Sequence, residues 1–410
     1  MALIDRFLER VIRKGRLTLI RPDGTSRTFG AAEPGFPDVT MRLCDLKAGR
    51  DIVLHPRLGF AEAYMDGRLS IDDDDVMGLV GLVRGNAPWE SSKKIERSGL
   101  RGKMAKAISR RVKQANARSA ARANVAHHYD LSGALYDLFL DKDRQYSCAY
   151  WANPDDTLDR AQEDKKAHIA AKLALAPGMK VLDIGCGWGG MALYLHQKCG
   201  VDVLGITLSE EQHEVACRRA AEAGVSDHVR FELIDYRDVT GPFDRIVSVG
   251  MFEHVGVPYY REFFRCCHNL LTEQGVMLLH TIGRMGGPSY TDAFTNKYIF
   301  PGGYIPALSE IIGSSEPNRL MVTDVEALRL HYAMTTRAWY ARCREHRAEI
   351  EALYDARFFR MWTLYLAGAT AAFEHGGMLV YQVQFARDRH TLPITRDYMV
   401  QEEARLRSST

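Results

Sequence analysis

The chain has 410 residues, of which 46% are hydrophobic, and a formal net charge of only +2. These values indicate an ordinary globular protein of two or three domains, and no run approaches the roughly eighteen apolar residues of a membrane span. Charged residues interrupt the apolar positions of MALIDRFLERVIRKG, so we expect no signal peptide.

Eight cysteines are scattered along the chain without a CxxC pair or a nearby Cys/His spacing. This spacing favours neither a zinc site nor a disulfide framework, and we expect no bound metal and a reducing cytoplasm. Cys148 lies in QYSCAYW, residues 145–151. The pattern alone leaves open whether it is a nucleophile, a ligand or a core residue.

The first ninety residues predict a small strand-dominated domain. The segments RLTLI, SRTFG, VTMRLCD and DIVLHP are rich in β-forming residues, and Pro22-Asp23-Gly24 is a typical turn. No pattern within this domain indicates its function.

A basic segment follows and separates this domain from the rest of the chain. Residues 93–122 carry eleven Lys/Arg against a single acidic residue, Glu96. Apolar residues recur every four positions within it, which favours an amphipathic helix for an anionic membrane surface. A solvated linker is the equal alternative. Nucleic acid is disfavoured because no aromatic residue interleaves the basic ones.

Five apolar runs beyond this segment predict buried parallel strands. They are MKVLDIGCG (179–187), VDVLGITLS (201–209), VRFELID (229–235), DRIVSVGM (244–251) and GVMLLHTIG (275–283). Helical stretches separate them, as in an open, doubly wound α/β sheet. Ligands bind such a sheet at the carboxyl ends of its strands, so we expect the site there.

The glycines of DIGCGWGG (183–190) permit a tight turn and a close approach of a ligand to the backbone. Their spacing also satisfies the GxGxxG pattern of dinucleotide-binding enzymes. A NAD site, however, requires an acidic residue at the end of the second strand to bind the ribose hydroxyls, and this chain has Thr207 there. Asp183 and the polar Asp235-Tyr236-Arg237 favour a methyltransferase that binds S-adenosylmethionine instead.

Several motifs occur in order and make the interpretation specific. They are HYDLSGALYDLFLD (128–141), QYSCAYW, VLDIGCGWGG (181–190), GITLSEEQ (205–212), MFEHVG (251–256), LHTIG (279–283) and HYAMTTRAWY (331–340). Together they resemble the cyclopropane-fatty-acid synthase family, which includes the mycolic acid cyclopropane synthases. GFAEAYMDGRLSIDD (59–73) resembles the additional N-terminal domain of the members that act on phospholipids.

This resemblance implies the fold, the domains and the cofactor site. The fold is that of a class I S-adenosylmethionine-dependent methyltransferase, with a Rossmann-like seven-stranded sheet. The domains are 1–90, the basic segment 91–122, and a catalytic domain 123–410 with an apolar insertion at about 284–320. The cofactor residues implied by the motifs are Tyr146, Ser147, Asp183, Gly185, Gly187, Gly189, Thr207, Gln212, Tyr236 and Arg237.

The family is also understood to bind a bicarbonate ion that removes a proton from the transferred methyl group. The resemblance implies that Glu253, His280 and Tyr332 hold this ion through their side chains, and that Cys148 and Ile282 do so through their backbones. Each residue also has a structural alternative. A carboxylate that follows a strand, such as Glu253, is often a helix cap, and a histidine within a strand, such as His280, is often a core residue. Tyr332 could be an interface residue whose hydroxyl contacts water.

Two other residues of the motifs bear on the mechanism. Many members of the family carry a cysteine where this chain has Ala369, so covalent catalysis at that position is excluded. Mycolic enzymes commonly have a glutamate in place of Arg237. His254 and His128 have equally plausible structural roles and are not assigned to catalysis.

The insertion at 284–320 combines large apolar residues with glycines and prolines. This composition fits a mobile apolar wall for an acyl chain, and a well-packed loop over the sheet fits nearly as well.

The expected reaction is transfer of a methylene group from S-adenosylmethionine to the cis double bond of a phospholipid acyl chain. We expect a homodimer in the cytoplasm, peripherally bound to the inner face of an anionic membrane, with no nucleic-acid partner. The rivals are a fatty-acid C-methyltransferase, a small-molecule N-methyltransferase and a catalytically silent lipid-binding protein.

Overall fold

The computed structural model describes residues 3–91 and 132–408. The basic segment at 93–122, with its predicted amphipathic helix, lies outside the described residues, and so does His128.

The described chain contains eleven strands. They are β1 Gly15–Ile20, β2 Ser26–Ala31, β3 Asp38–Leu43, β4 Leu69–Ile71, β5 Lys180–Ile184, β6 Asp202–Thr207, β7 Val229–Leu233, β8 Phe243–Val249, β9 Leu271–Arg284, β10 Met321–Ala327 and β11 Met378–Ala386.

The α-helices of the described chain are interspersed with these strands. They are α1 Leu3–Val11, α2 Leu46–Leu54, α3 Leu58–Met65, α4 Val76–Gly85, α5 Gly133–Phe139, α6 Leu158–Leu173, α7 Gly190–Cys199, α8 Glu210–Glu222, α9 Tyr260–Leu270, α10 Ala293–Tyr298, α11 Leu308–Ser315, α12 His331–Glu345, α13 Arg347–Leu353, α14 Ala356–Glu374 and α15 Asp397–Ser408. Short 3₁₀ helices cover Asp72–Asp74, Trp89–Ser91, Phe252–His254, Val257–Tyr259 and Glu316–Asn318.

The described chain divides into two compact units. The first contains residues 3–91, 291–301 and 333–377, and the second contains residues 132–290, 302–332 and 378–408. The predicted domain boundaries at 90 and 122 stay predictions, but the first unit also includes two segments from the C-terminal half of the chain.

A four-stranded sheet organises the first unit, in the order β2-β1-β3-β4. Alternate residues of β1, including Leu17 and Leu19, are fully buried, as expected for a strand with one face on a core. The predicted strand DIVLHP is wrong, because this segment lies mostly in α2. Asp45 caps α2 by accepting a hydrogen bond from the Ala48 backbone N–H, which fixes the start of a helix there.

Ion pairs within the first unit join its N-terminal part to its C-terminal segments. Lys297 lies 2.7 Å from Glu62, and Arg357 lies 2.8 Å from Asp66. Helix α14 also packs against α3 and α4. The first unit is therefore held together by contacts between distant parts of the sequence.

The second unit contains the predicted α/β sheet, which is confirmed. Its seven strands have the order β10-β11-β9-β8-β5-β6-β7, and all five predicted strands are parallel neighbours within it. Strands β10 and β11 complete the sheet in antiparallel orientation. Adjacent residues of one strand belong to different cores: Leu182 packs in one cluster with α9, and Val181 packs in the other with α6 and α7. Helices thus cover both faces, which explains the continuous apolar runs.

The insertion is ordered where it belongs to the second unit. Tyr304 and Ile311 are almost completely buried, and the Tyr304 backbone N–H donates to the Glu253 carbonyl oxygen over 3.1 Å. These contacts favour the packed-loop interpretation for residues 302–320. No helix within the described ranges is long and apolar enough to cross a membrane.

Candidate functional site

A cavity opens at the carboxyl ends of β5, β6, β7 and β8, where the parallel sheet was expected to bind its ligand. Its wall combines the loops after these strands with residues 144–147. Eight of the ten predicted cofactor residues line it: Tyr146, Ser147, Asp183, Gly185, Thr207, Gln212, Tyr236 and Arg237. Gly187 and Gly189 belong to the same loop but do not line the cavity.

The glycine loop after β5 depends on backbone conformations that favour glycine. Gly185, Gly187 and Gly189 have φ values of +83°, +54° and +84°. A Cβ at Gly185 would lie 2.9 Å from the Cβ of Met251, whereas one at Gly187 would meet no described atom within 4 Å. Backbone conformation thus explains all three glycines, and close packing adds a second reason at Gly185.

Asp183 presents a carboxylate oxygen at the cavity wall. Its side chain is buried, and its Oδ2 has no hydrogen-bond partner among the described residues. Burial raises the pKa of Asp183 to about 7, and the nearby Lys165 opposes this shift. An oxygen of this kind fits a polar group of a bound cofactor.

Thr207 and Gln212 form a unit at the end of β6. The Thr207 hydroxyl donates to Gln212 Oε1 over 3.0 Å and accepts from the Ser209 backbone N–H over 3.2 Å. Because Oε1 of Gln212 is engaged, its NH₂ group is the part that can donate to a ligand. The residues that line the cavity at the end of β6 are Ile206, Thr207, Leu208 and Gln212, so no acidic side chain lines it at this strand end.

The loop after β7 contributes the cationic side chain of Arg237 to the cavity wall, where it forms an ion pair with Asp235. Arg237 donates from Nε and Nη2 to the two carboxylate oxygens of Asp235, over 2.8 and 2.6 Å. The guanidinium also lies 5.3 Å from the ring centroid of Tyr236. This pair neutralises the charge locally, so the wall suits an uncharged aromatic base better than a phosphate.

Lys165 of α6 supports the cavity, although its sequence pattern gave no sign of this. It is fully buried, and its Nζ lies 2.5 Å from Gln145 Oε1 and 2.8 Å from Ser147 Oγ. Burial lowers the pKa of Lys165 to about 8. The ammonium thereby holds in place the segment that contains Tyr146, a predicted cofactor residue.

His254, which the sequence left without a role, also lines the cavity. Burial lowers its pKa to about 4, so its imidazole is neutral at pH 7.

Glu253 lies on the 3₁₀ helix after β8, between Met251 and His254 of the cavity wall. Its Oε1 accepts a hydrogen bond of 2.6 Å from the Ile282 backbone N–H. Its Oε2 is buried with no partner within the described part of the chain. Burial raises the pKa of Glu253 to about 7. The structure thus brings Glu253 and Ile282 together, and any contact of Ile282 with an ion stays a prediction.

His280 precedes Ile282 by two residues on β9, so both lie on the same face of the strand. The ring is buried, with Nδ1 3.2 Å from Gln382 Nε2 on β11 and Nε2 without a partner in the described ranges. Burial lowers the pKa of His280 well below its usual value, and Lys165 and Lys172 add to this effect. The imidazole is therefore neutral.

The segments that contain Cys148 and Tyr332 contact each other. The Trp151 backbone N–H donates to His331 Nδ1 over 2.9 Å, and the Tyr150 ring stacks on the His331 ring. This contact holds the start of α12, which carries Tyr332, against the QYSCAYW segment. The Cys148 thiol is buried and lies 3.3 Å from the Ala149 carbonyl oxygen.

Across residues 3–91 and 132–408, no group of three or more His, Cys, Asp and Glu side chains could hold a metal ion.

Comparisons with known proteins agree with this geometry. The family model for mycolic acid cyclopropane synthetase matches residues 116–383. The cyclopropane-fatty-acyl-phospholipid synthase of Escherichia coli strain K12 is 40% identical over 87% of this chain and 90% of its own. A probable fatty acid methyltransferase of Pseudomonas putida is 42% identical over 67% of this chain and 73% of its own.

A solved structure is similar as well. The crystal structure of mycolic acid cyclopropane synthase CmaA1 complexed with SAH and CTAB is 37% identical, with a TM-score of 0.62, over 65% of this chain and 98% of that chain. Because the family model covers more than half of the chain and the E. coli synthase matches most of it, this protein belongs to the mycolic acid cyclopropane synthetase family of S-adenosylmethionine-dependent methyltransferases.

Proposed function

We propose that this protein transfers a methylene group from S-adenosylmethionine to the cis double bond of an unsaturated acyl chain in a membrane phospholipid. The similarity to the E. coli synthase, which extends through the N-terminal region, supports a phospholipid rather than a mycolic acid as substrate. Cyclopropane mycolic acid synthase 1 of Mycobacterium tuberculosis, by comparison, matches only 63% of this chain, although 95% of its own length is covered.

The reaction places two demands on the site. As the methyl carbon leaves the sulfonium, it forms a bond to one alkene carbon and leaves a cation on the other. Loss of a proton from this new methyl group then supplies the electron pair of the second ring bond. Water must be excluded, because it would trap the cation as an alcohol.

The observation that carries the proposal is the presence of two buried atoms, Glu253 Oε2 and His280 Nε2, that lack a hydrogen-bond partner among the described residues. Buried polar atoms are nearly always hydrogen-bonded, so two of them, one on β9 and one on the 3₁₀ helix after β8, favour a ligand that completes their bonding. Bicarbonate held here would supply the base for the methyl proton. Its hydroxyl suits the Glu253 oxygen as acceptor, and its anionic oxygens suit donors at His280 and Tyr332.

Residues of this chain then have defined tasks. The Ile282 N–H orients the Glu253 carboxylate, and the low polarity around Glu253 keeps water scarce. Cys148 contributes its backbone rather than its thiol. On the cofactor side, the Lys165 ammonium positions Tyr146 and Ser147 through its two hydrogen bonds to the segment.

A fatty-acid C-methyltransferase that yields a methyl branch is the second candidate, favoured by the 42% identity to the P. putida relative. Both reactions share the cation and differ in which proton is lost. We further propose that the protein is a homodimer that binds an anionic membrane surface peripherally through residues 93–122. Analysis of the fatty acids formed from S-adenosylmethionine and cis-monounsaturated phospholipid vesicles tests the main proposal and separates the two products.

A further inference from the structure

A buried chain of hydrogen bonds leads from α6 to the back of His280. Lys172 Nζ lies 2.8 Å from Gln382 Oε1, and Gln382 Nε2 lies 3.2 Å from His280 Nδ1. Lys172 and Gln382 are each at most 2% exposed. The far end of the chain is the carboxylate of Glu326, which contacts Lys172 and lies 2.7 Å from His168 Nε2.

The direction of each hydrogen bond in this chain follows from its charged end. Burial raises the pKa of Glu326, but the hydrogen bonds and charges of His168 and Lys172 outweigh burial and lower it to about 2. Glu326 is therefore ionised. Burial lowers the pKa of Lys172, but its contact with the ionised Glu326 opposes this shift and favours the ammonium form. An ammonium group can only donate, so the Gln382 atom beside Lys172 is its carbonyl oxygen. The NH₂ group of Gln382 consequently faces His280.

An NH₂ group can only donate, so His280 Nδ1 must be the acceptor. In a neutral imidazole, a nitrogen that accepts leaves the ring hydrogen on the other nitrogen. We infer that Lys172 and Gln382 hold His280 as the Nε2–H tautomer, so that His280 meets the active site as a hydrogen-bond donor to an anion. Gln382 and Lys172 are positioning residues, since both act through His280.

The identity of the anion rests on the proposed function, whereas the tautomer is a property of the protein alone. The two are therefore tested separately. The tautomer is read by NMR of the full-length protein labelled with ¹⁵N in its histidine rings, without substrate. The His280 signals are assigned by their loss in His280→Gln.

We expect wild-type His280 to show a pyridine-type Nδ1 and a protonated Nε2. In Gln382→Glu, which is isosteric, the carboxylate accepts instead of donating, so Nδ1 should become protonated. Turnover should fall by roughly tenfold or more, with the Kd for S-adenosylmethionine unchanged. The matched control is Gln384→Glu on the same strand, because Gln384 donates to the Lys172 carbonyl oxygen and to Tyr398 rather than to His280.

A pyridine-type Nε2 in the wild type would overturn the inference, and so would an unchanged Nδ1 in Gln382→Glu or an equal change in Gln384→Glu. If Gln382→Glu does not fold, Lys172→Met is the second variant. Without the Lys172 ammonium, the Gln382 side-chain amide is free to flip, and we expect a mixture of His280 tautomers. A single unchanged tautomer would contradict the role of Lys172.

Bicarbonate added to the wild type should shift the His280 Nε2 signal, and a signal that does not move would remove the anion from the inference. A protein that forms no cyclopropane but shows the expected tautomer would contradict the proposed function and leave the tautomer assignment standing.

Discussion

The Ile282 backbone N–H and Glu253 Oε1 form a hydrogen bond of 2.6 Å between a residue of β9 and the 3₁₀ helix that follows β8. This bond uses one carboxylate oxygen, and the other, Oε2, is buried without a hydrogen-bond partner among the described residues. Glu253 therefore has one oxygen committed to positioning and one available for a ligand, an arrangement that favours chemistry over a purely structural role.

Replacing Glu253 by glutamine should reduce turnover by at least about 100-fold. The Ile282 N–H would hold the amide oxygen, and the NH₂ group in place of Oε2 can only donate. Binding of S-adenosylmethionine, measured by calorimetry, should be unchanged, since the residue does not line the cofactor cavity. Glu273→Gln, an exposed change near the start of β9, is the control. Wild-type turnover in Glu253→Gln would remove this residue from the mechanism.

Stability should depend on pH through the same carboxyl group. The pKa of Glu253 is raised from 4.5 to about 7, so the folded protein binds its proton more tightly than the unfolded chain. The contribution of Glu253 to the free energy of unfolding is fully present below pH 4.5. It is lost as the pH rises through 7, a change of about 3 kcal/mol. Urea unfolding should show wild type losing stability relative to Glu253→Gln across this range. A constant difference between the two would show that Glu253 keeps an ordinary pKa.

Lys165→Met should weaken S-adenosylmethionine binding by roughly tenfold, because Gln145 and Ser147 lose a buried donor and the segment between them is released. Lys142→Met is a suitable control, since Lys142 is exposed in the neighbouring loop. Calorimetric titration of both variants measures the effect. Equal affinities for the cofactor would mean that the ammonium has no part in shaping the cavity.

Cys148→Ser should keep turnover within about threefold of wild type, because the hydroxyl can donate to the Ala149 carbonyl oxygen as the thiol does. Cys267→Ser, which also introduces a hydroxyl at a fully buried thiol outside the site, controls for the cost of burial. Initial rates are compared at saturating cofactor. Complete loss of activity in a folded Cys148→Ser that still binds S-adenosylmethionine would return the thiol to the mechanism.

Sequence patterns predicted the parallel sheet and the edge at which the site lies, because buried strands and glycine turns leave strong local signals. They did not predict Lys165, His168 or Lys172, since LDRAQEDKKAHIAAKL has the composition of a solvated helix, although most of α6 is buried. Gln382 was missed for a related reason. An amide within a strand gains a role only through the partners that folding brings to it, here residues more than one hundred positions away.

Isotopic labelling of the transferred methyl group tests whether the protein catalyses methylene transfer. The protein is incubated with S-adenosylmethionine carrying a fully deuterated methyl group and with cis-monounsaturated phospholipid vesicles, and the fatty acids are analysed by mass spectrometry and NMR. We predict a cyclopropane whose ring methylene carries two deuterium atoms. The third is removed as a deuteron when the ring closes. A methyl-branched product that keeps all three deuterium atoms, or a hydroxylated chain, would contradict the account.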